Sequence, residues 1–587
     1  MMRPPRLYLA MILLLVAKTA AANPEKENLK IYKKAKKYYA AANYKAAQVA
    51  LEPLITAAEN SAITPYALFY YALAAYHQKA QELAEDIFFR ITQEFPVWDQ
   101  LGEVLYWLAQ LRFEQADYTT ALAYLAQLTD KAWEKPIQQI KVYFLQPIED
   151  LATLQSLLKQ YPEDQTIAQI LLDKLAAQPF IKQDHDLIHT LVQRFNLTFR
   201  SHNPIDSLPT LKKPSYNVAV FFPFFIDEVD YEEENNNQFV LELYKGIQVA
   251  VTELAHKGIP INVFAYDTKK DATTTAALLA QEEIKSMDLI IGPLYAATIP
   301  LVADFAKEHQ INFFNPLSVN ADAVGTNPFA YLFKPSLETQ ARKAAAFTQA
   351  TQQGAEPLRV GIIYGTSPED SIKAYTYKQY IEYNTNQEVA LMLQLEPAAS
   401  QQFLSAFRAI ERKNALLMHD NEQVEKPDLD KLTHIYVASQ DELIIANVLS
   451  AIEIININPY IIGDENWLRQ NSITLDQLER LRLRLVAPNY IDYTKASLYD
   501  FRHAFYNQFG QYPTYYATIG YDMMLFLSNM LMQYGTYFQK HWENQSASGV
   551  IFTGFAYGRH HDNQHVPIIR FQEAAFVICS EDLCDLQ

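Results

Sequence analysis

Residues 286–318 read SMDLIIGPLYAATIPLVADFAKEHQINFFNPLS. Leu289-Ile290-Ile291 is a short apolar run of strand type, closed by Gly292-Pro293. From Thr298 to His309 the apolar residues follow the helical period. Thr298 is placed to cap that helix, and Pro300 falls in its first turn, where a missing N–H costs nothing. Ile311 to Phe314 is strand-like again. Strand, helix and strand at this spacing read as a βαβ unit of a parallel sheet.

The alternation extends upstream. Val218–Phe222 reads as strand, Leu241–Leu254 as helix, Ile261–Tyr266 as strand and Asp271–Lys285 as helix. Parallel sheets of this kind bind ligands beyond the carboxyl ends of their strands. Those ends are Phe222-Pro223, Tyr266-Asp267-Thr268, Gly292-Pro293-Leu294-Tyr295 and Asn315-Pro316-Leu317-Ser318. Before residue 216 the pattern differs. Ser201–Ser215 (SHNPIDSLPTLKKPS) holds three prolines and no helical period, and marks a linker.

The part before the linker repeats itself. Tyr39, Tyr76 and Phe113 are 37 residues apart, as are Ala47, Ala84 and Ala121. Leu51, Phe88 and Leu125, then Leu54, Ile91 and Leu128, keep the same spacing. Within each unit the later steps are four and three residues, which puts these side chains on one helical face. Asn43-Tyr44 and Asp117-Tyr118 mark turns between paired helices, and Pro96 closes the second unit. These units resemble tetratricopeptide repeats, with a longer period and without the usual glycine. Residues 151–195 continue as helices that cap the stack. The fold class expected is α followed by α/β: a helical-repeat domain over 23–200, a linker over 201–215, and an α/β domain over 216–587.

Composition removes several functions. The 587 residues carry 49 basic and 67 acidic side chains, a formal net charge of -18, which disfavours nucleic acid as a partner. Only 15 glycines occur where average usage would give about 40. None forms a dinucleotide fingerprint, a P-loop or a nucleophile elbow. No Ser/His/Asp or Cys/His set assembles, so no catalytic residue and no cofactor is expected. At the start, Arg3 and Arg6 precede an apolar run from Leu7 to Ala17, and Ala20-Ala21-Ala22 offers small residues. That order reads as a secretory signal over 1–22, hence an extracytoplasmic or periplasmic protein with no membrane span in its mature chain. In such a compartment Cys579 and Cys584 read as a small disulfide loop, with free thiols or a metal site as alternatives.

A family resemblance rests on nine short pieces in order. They are Lys245-Gly246-Ile247, Tyr266-Asp267-Thr268, Ile291-Gly292-Pro293, Asn315-Pro316-Leu317-Ser318, Phe333-Lys334-Pro335-Ser336, Val360-Gly361-Ile362-Ile363-Tyr364, Ile462-Gly463-Asp464-Glu465-Asn466, Tyr516-Ala517 and Gly520-Tyr521-Asp522. Together they resemble a type I periplasmic-binding-protein domain of the leucine-binding kind. The resemblance implies two α/β lobes with a ligand cleft between them. Lobe one would hold about 216–336 and 463–545, and lobe two about 337–462 and 546–587. It implies cleft positions at Asp267, Tyr295, Ala296, Thr298, Ser318, Asn320, Tyr364 and Glu465. Ser318 would hold a carboxylate, or else cap a helix. Glu465 would face an ammonium, or else be a solvated loop acid. Tyr295 would stack on a ligand, or else plug the cleft.

Two functions follow as expectations. One is a solute-binding-like protein closing on a small polar ligand, amino-acid- or peptide-like, while its helical repeats dock an envelope protein. The other follows from the layout, which resembles that of the lipoprotein activators of penicillin-binding proteins: a regulator of peptidoglycan synthesis working through protein contacts. This chain lacks the cysteine that anchors those activators to lipid. Metal remains a minor alternative at His185 and His189, and at His560, His561 and His565. The acidic run Asp227–Asn237 reads as a solvated loop, with calcium as its alternative.

Overall fold

The 37-residue spacing marks the places where paired helices come closest, since Ala47, Ala84 and Ala121 are all fully buried. The computed structural model describes residues 24–57, 60–197, 204–228, 237–352, 357–385, 387, 389–398, 431–470, 472–544 and 546–579. Residues 1–22, expected to form a secretory signal, and Cys584 lie outside them, as does most of the acidic run after Asp227. The chain forms two units, residues to 175 with 190–198, and residues 176–189 with 199 onward.

In the first unit, α1 (Pro24–Ala40) pairs with α2 (Tyr44–Ile55), α3 (Thr64–His77) with α4 (Gln81–Glu94), and α5 (Leu101–Glu114) with α6 (Tyr118–Leu125). Helices α7 (Glu134–Leu145), α8 (Leu151–Gln160) and α9 (Gln165–Ala177) follow; α10 (His185–Phe195) has its first half, to His189, in the second unit. Leu51, Phe88 and Leu125 are buried with the alanines. The turn inside each pair repeats as well. Ala42, Lys79 and Ala116 are left-handed, at φ 57, 65 and 60°. The residue after each caps the second helix. Asn43 accepts from Ala46 N at 3.2 Å and Asp117 from Thr120 N at 3.1 Å, while Ala80 has no side-chain acceptor to offer.

The second unit contains two parallel sheets. The first uses β1 (Tyr216–Phe222), β2 (Ile261–Asp267), β3 (Leu289–Ile291), β4 (Asn312–Asn315) and β5 (Ala330–Leu332), in the order β2-β1-β3-β4-β5. Along β1 the side chains alternate. Val218, Val220 and Phe222 join the core under α11 (Gln238–His256), whereas Ala219 and Phe221 join the core on the opposite face. That second core is closed by α12 (Ala272–Leu279) and α13 (Ile299–His309). A parallel sheet buried on both faces explains why its strands read as apolar runs.

From β5 the chain enters α14 (Leu337–Ala350) and a second sheet. Its strands are β6 (Val360–Tyr364), β7 (Leu391–Gln394), β8 (His434–Ala438), β9 (Tyr460–Asp464) and β10 (Leu483–Val486). Helix α15 (Pro368–Thr385) follows β6, α16 (Glu442–Ile455) follows β8, and the short α17 (Leu475–Arg480) precedes β10. The parallel order β7-β6-β8-β9-β10 repeats the doubly wound 2-1-3-4-5 pattern of the first sheet. Helices α18 (Ala496–Phe509) and α19 (Tyr515–Tyr534) then pack into the first core. Strands β11 (Ser546–Ala547) and β12 (Phe555–Ala556) pair with each other. Strand β13 (Ile568–Gln572) extends the second sheet antiparallel to β10, and β14 (Ala575–Ile578) pairs antiparallel with β13. This is the two-lobed architecture of a type I periplasmic-binding protein, preceded by a helical-repeat region.

The lobe boundaries differ from the expected ones in two places. The return to lobe one comes after Val486, not near 463, because β9 and β10 pair in register with each other and β8 inside the second sheet. Residues 551–557 belong to the first core, where Ile551, Phe552, Phe555 and Tyr557 are buried against α11 and α19. The chain re-enters lobe two only with β13.

Candidate functional site

Four turns leave the carboxyl edge of the first sheet, and hydrogen bonds tie them to their neighbours as well as within themselves. Asp267, at the end of β2, accepts from the backbone N–H of Phe225 (3.1 Å), Ile226 (2.9 Å) and Lys269 (3.0 Å). Gly292 and Pro293 join through a cis peptide. Gly292 sits at φ 97°, and a Cβ there would lie 2.4 Å from Phe221 O, so only glycine fits. Asn315 locks the neighbouring turn. Its amide donates to Pro293 O at 2.6 Å, and its oxygen accepts from Leu317 N and Ser318 N.

The expected ligand hydroxyls are engaged locally. Thr298 is the N-cap residue of α13 by position, yet its hydroxyl donates back to Tyr295 O at 3.0 Å and caps no amide. Ser318 Oγ accepts from Asn320 N at 3.1 Å. Asn320, not Ser318, caps the following short 3-10 turn, through Asp322 N at 2.9 Å. Ala296 is exposed on its turn. The Tyr295 ring is covered by the chain's own cation, with Lys270 Nζ 4.2 Å from its centroid. Tyr364, at the end of β6, is buried and meets Tyr375 edge-on at 6.0 Å.

Glu465 follows β9, at the carboxyl edge of the second sheet. Its carboxylate accepts the backbone N–H of Asn489 at 3.0 Å and the Asn489 side-chain amide. The Asn489 oxygen in turn accepts from the Tyr515 hydroxyl. Lys334 and Arg469 both stand over the Tyr515 ring, at 5.1 and 6.0 Å from its centroid. Burial raises the Glu465 pKa to about 7; the Asn489 hydrogen bonds and the Lys334 charge oppose that rise. Burial lowers Lys334 to about 8, with Glu465 pulling it up and Arg469 pushing it down. The cluster therefore joins the segment after β5 (Lys334), the loop after β9 (Glu465, Arg469), the crossing after β10 (Asn489) and the start of α19 (Tyr515). A cavity lined by Lys334, Pro488, Asn489, Phe552 and His565 measures about 20 Å³, room for a single water.

Glu465 was legible in the sequence; Lys334, Asn489 and Tyr515 were not. A signal for Lys334 existed, since it stands alone in the apolar run Ala330-Tyr-Leu-Phe-Lys-Pro. The histidines have other roles. His561 donates Nδ1–H to Ala330 O at 2.7 Å and is sandwiched between the rings of Phe180 (4.3 Å) and Tyr331 (4.5 Å). His565 Nε2 bonds to Thr553 Oγ1 at 2.8 Å. No group of three metal-ligating side chains converges among the described residues. With Cys584 outside them, the expected Cys579–Cys584 disulfide is not described.

No protein-family model matches the chain, and no curated protein matches it in sequence. Solved structures do. An ABC transporter substrate-binding protein from Desulfitobacterium hafniense, in complex with Leu, is similar at 16% identity and a TM-score of 0.41, over 62% of this chain and 100% of that one. The branched-chain amino acid transporter substrate-binding protein LivJ from Streptococcus pneumoniae, in complex with isoleucine, is similar at 14% identity and a TM-score of 0.35, over 62% and 99%. Full-length LpoA from Haemophilus influenzae is similar at 12% identity and a TM-score of 0.43, over 95% of this chain and 96% of its own.

Proposed function

We propose that this chain is an exported, non-enzymatic regulator that works by protein contact, its inter-lobe site filled by its own side chains. One observation carries the reading. Glu465, the acid expected to receive a ligand's ammonium, already has the Asn489 amides and the electrostatic influence of the chain's own Lys334. Lys270 occupies the Tyr295 face in the same manner. A free amino acid would have to displace two internal ammonium groups, each held against an aromatic ring. The helical repeats would then dock an envelope partner, and the layout points to a peptidoglycan synthase as its class. No helix among the described residues is long and apolar enough to cross a membrane.

A second reading keeps the cleft for a small amino-acid- or peptide-like ligand. It is favoured by Glu465 itself, whose carboxyl titrates near neutrality and so can accept an ammonium at modest cost. Calorimetry separates the two. The mature protein is titrated with amino acids, dipeptides and muropeptides, beside Lys334→Ala. The self-filled site predicts no heat of binding for the wild type, and weak binding of methylammonium or glycine to Lys334→Ala alone. Micromolar binding of any of these solutes to the wild type would overturn it in favour of the ligand reading.

A further inference from the structure

A second concavity, of about 510 Å³, opens in the binding-protein unit away from the strand ends just described. Its walls include His185, Arg342 and Lys343 on the first turns of α14, Tyr380, Trp542 and His560. Tyr380 stands on the later turns of α15. The volume suits a solute of metabolite size.

Two buried nitrogens in the wall lack a hydrogen-bond partner. Trp542 is 3% exposed, and its indole N–H finds no hydrogen-bond partner among the described residues. His560 Nδ1 is likewise buried and unpartnered. Leaving a buried donor unmade costs about 1–3 kcal/mol, a cost that a bound acceptor removes. The charges around them are positive. Arg342 spends Nη2 on Ile181 O (3.1 Å) and Thr339 Oγ1 (3.0 Å), which positions its guanidinium, and its charge also acts on the buried carboxyls of Glu338 and Asp562, neither of which lines the pocket. Lys343 is exposed beside it. Among the described residues the wall holds one carboxylate, Asp184, which accepts Leu187 N at 2.9 Å at the start of α10. Burial first, then His185, Arg342, Lys343 and His561, hold His560 well below the ordinary imidazole range. Every charge acting on it disfavours a further cation.

We propose that this pocket binds the oxyanion of a small organic solute, a carboxylate or a phosphate, between Arg342, Lys343, the Trp542 indole N–H and His560. Arg342 and Lys343 supply the charge, and the indole supplies a directed donor in a water-poor wall. Bound anion reverses the local field, so His560 takes up a proton with it and binding strengthens as pH falls.

The test follows the indole N–H resonance of Trp542 in the mature full-length protein, one of five tryptophans, assigned by its loss in Trp542→Phe. Inorganic phosphate and acetate are titrated separately at low ionic strength. A saturable shift with either supports the site, and the tighter probe names the source of the oxyanion. Lys343→Gln, an exposed change that leaves the fold intact, is expected to weaken binding several-fold. Arg342→Gln is expected to weaken it by about tenfold or more. No saturable shift with either probe up to about 100 mM, or a shift that Lys343→Gln leaves unchanged, overturns the proposal. Either result leaves the inter-lobe reading untouched, since no residue is shared.

Discussion

Burying an acid and an amine together makes each sensitive to pH near neutrality. The folded pKa of Glu465, about 7, lies above its ordinary 4.5. Its contribution to stability is therefore complete below the unfolded value and is lost as pH rises through 7. Lys334 is depressed to about 8, so its contribution is present above 10.5 and lost as pH falls through 8. The two losses overlap between the two values, which makes neutral pH the least favourable region for this cluster. Glu465→Gln keeps a hydrogen-bond acceptor for Asn489 and removes the charge. Between about pH 5 and pH 8 the stability gap should move in the variant's favour by about 2 kcal/mol, read from urea unfolding at both pH values. A gap independent of pH would refute the burial argument. The same residues show what sequence reading can reach. Glu465 was found because it follows a strand end, a position fixed by topology. Its partners were missed because Lys334 lies more than a hundred residues before it, Asn489 and Tyr515 lie in separate segments after it, and only the crossings bring them together.

Secondary elements carry three further expectations. Within the helical pairs the left-handed position recurs at Ala42, Lys79 and Ala116, where an L side chain is strained. Lys79→Gly should stabilise the unit by about 0.5–1 kcal/mol, since native φ is already glycine-like. Ala80 stands where Asn43 and Asp117 cap the sister helices, with nearly the same backbone angles. Ala80→Asn should add about 1 kcal/mol by supplying the missing acceptor, and thermal unfolding of the two variants checks both. The 37-residue period was legible because a solenoid's contacts lie close in sequence. The left-handed turn was not, because alanine and lysine give no hint of it. In the second unit the motif pieces around Gly246 and Gly520 have a packing reason. A Cβ on Gly246 would come 2.0 Å from Ala517 O, and one on Gly520 2.0 Å from Leu243 O. Helices α11 and α19 thus touch backbone to backbone. Gly520→Ala gains about 1 kcal/mol of helix propensity but must force the helices apart, so a net loss of about 2 kcal/mol or more is expected in the unfolding midpoint.

At the scale of the binding-protein unit, the question is whether the lobes can hinge. The expected α/β architecture was legible because βαβ units announce themselves by alternation; the strand order within each sheet was not predicted. The placement of β9 and β10 was not, since an apolar run does not say which sheet it joins. The crossings are laced to one another. Leu332 N donates to His561 O at 2.8 Å, Ser336 N to Asp562 at 2.8 Å, and Ala487 N to Pro567 O at 2.9 Å. Lys495 reaches Phe552 O at 3.1 Å. These bonds tie the crossing segments side by side into one strap between the lobes, and each would cost about 1–3 kcal/mol if its buried partner were left unmade. Asp562 is the keystone: fully buried, it takes the Ser336 N–H and the Gln564 amide. Asp562→Ala should strand the Ser336 donor and cost about 2–3 kcal/mol. Amide hydrogen exchange should then accelerate across 332–337 and 561–567, while α11 and α19 stay protected. For the wild type, small-angle scattering should show one unchanged radius of gyration with and without amino acids. A shrinking radius on adding any of them would mean that the laced crossings do bend, and that the cleft closes on solute after all.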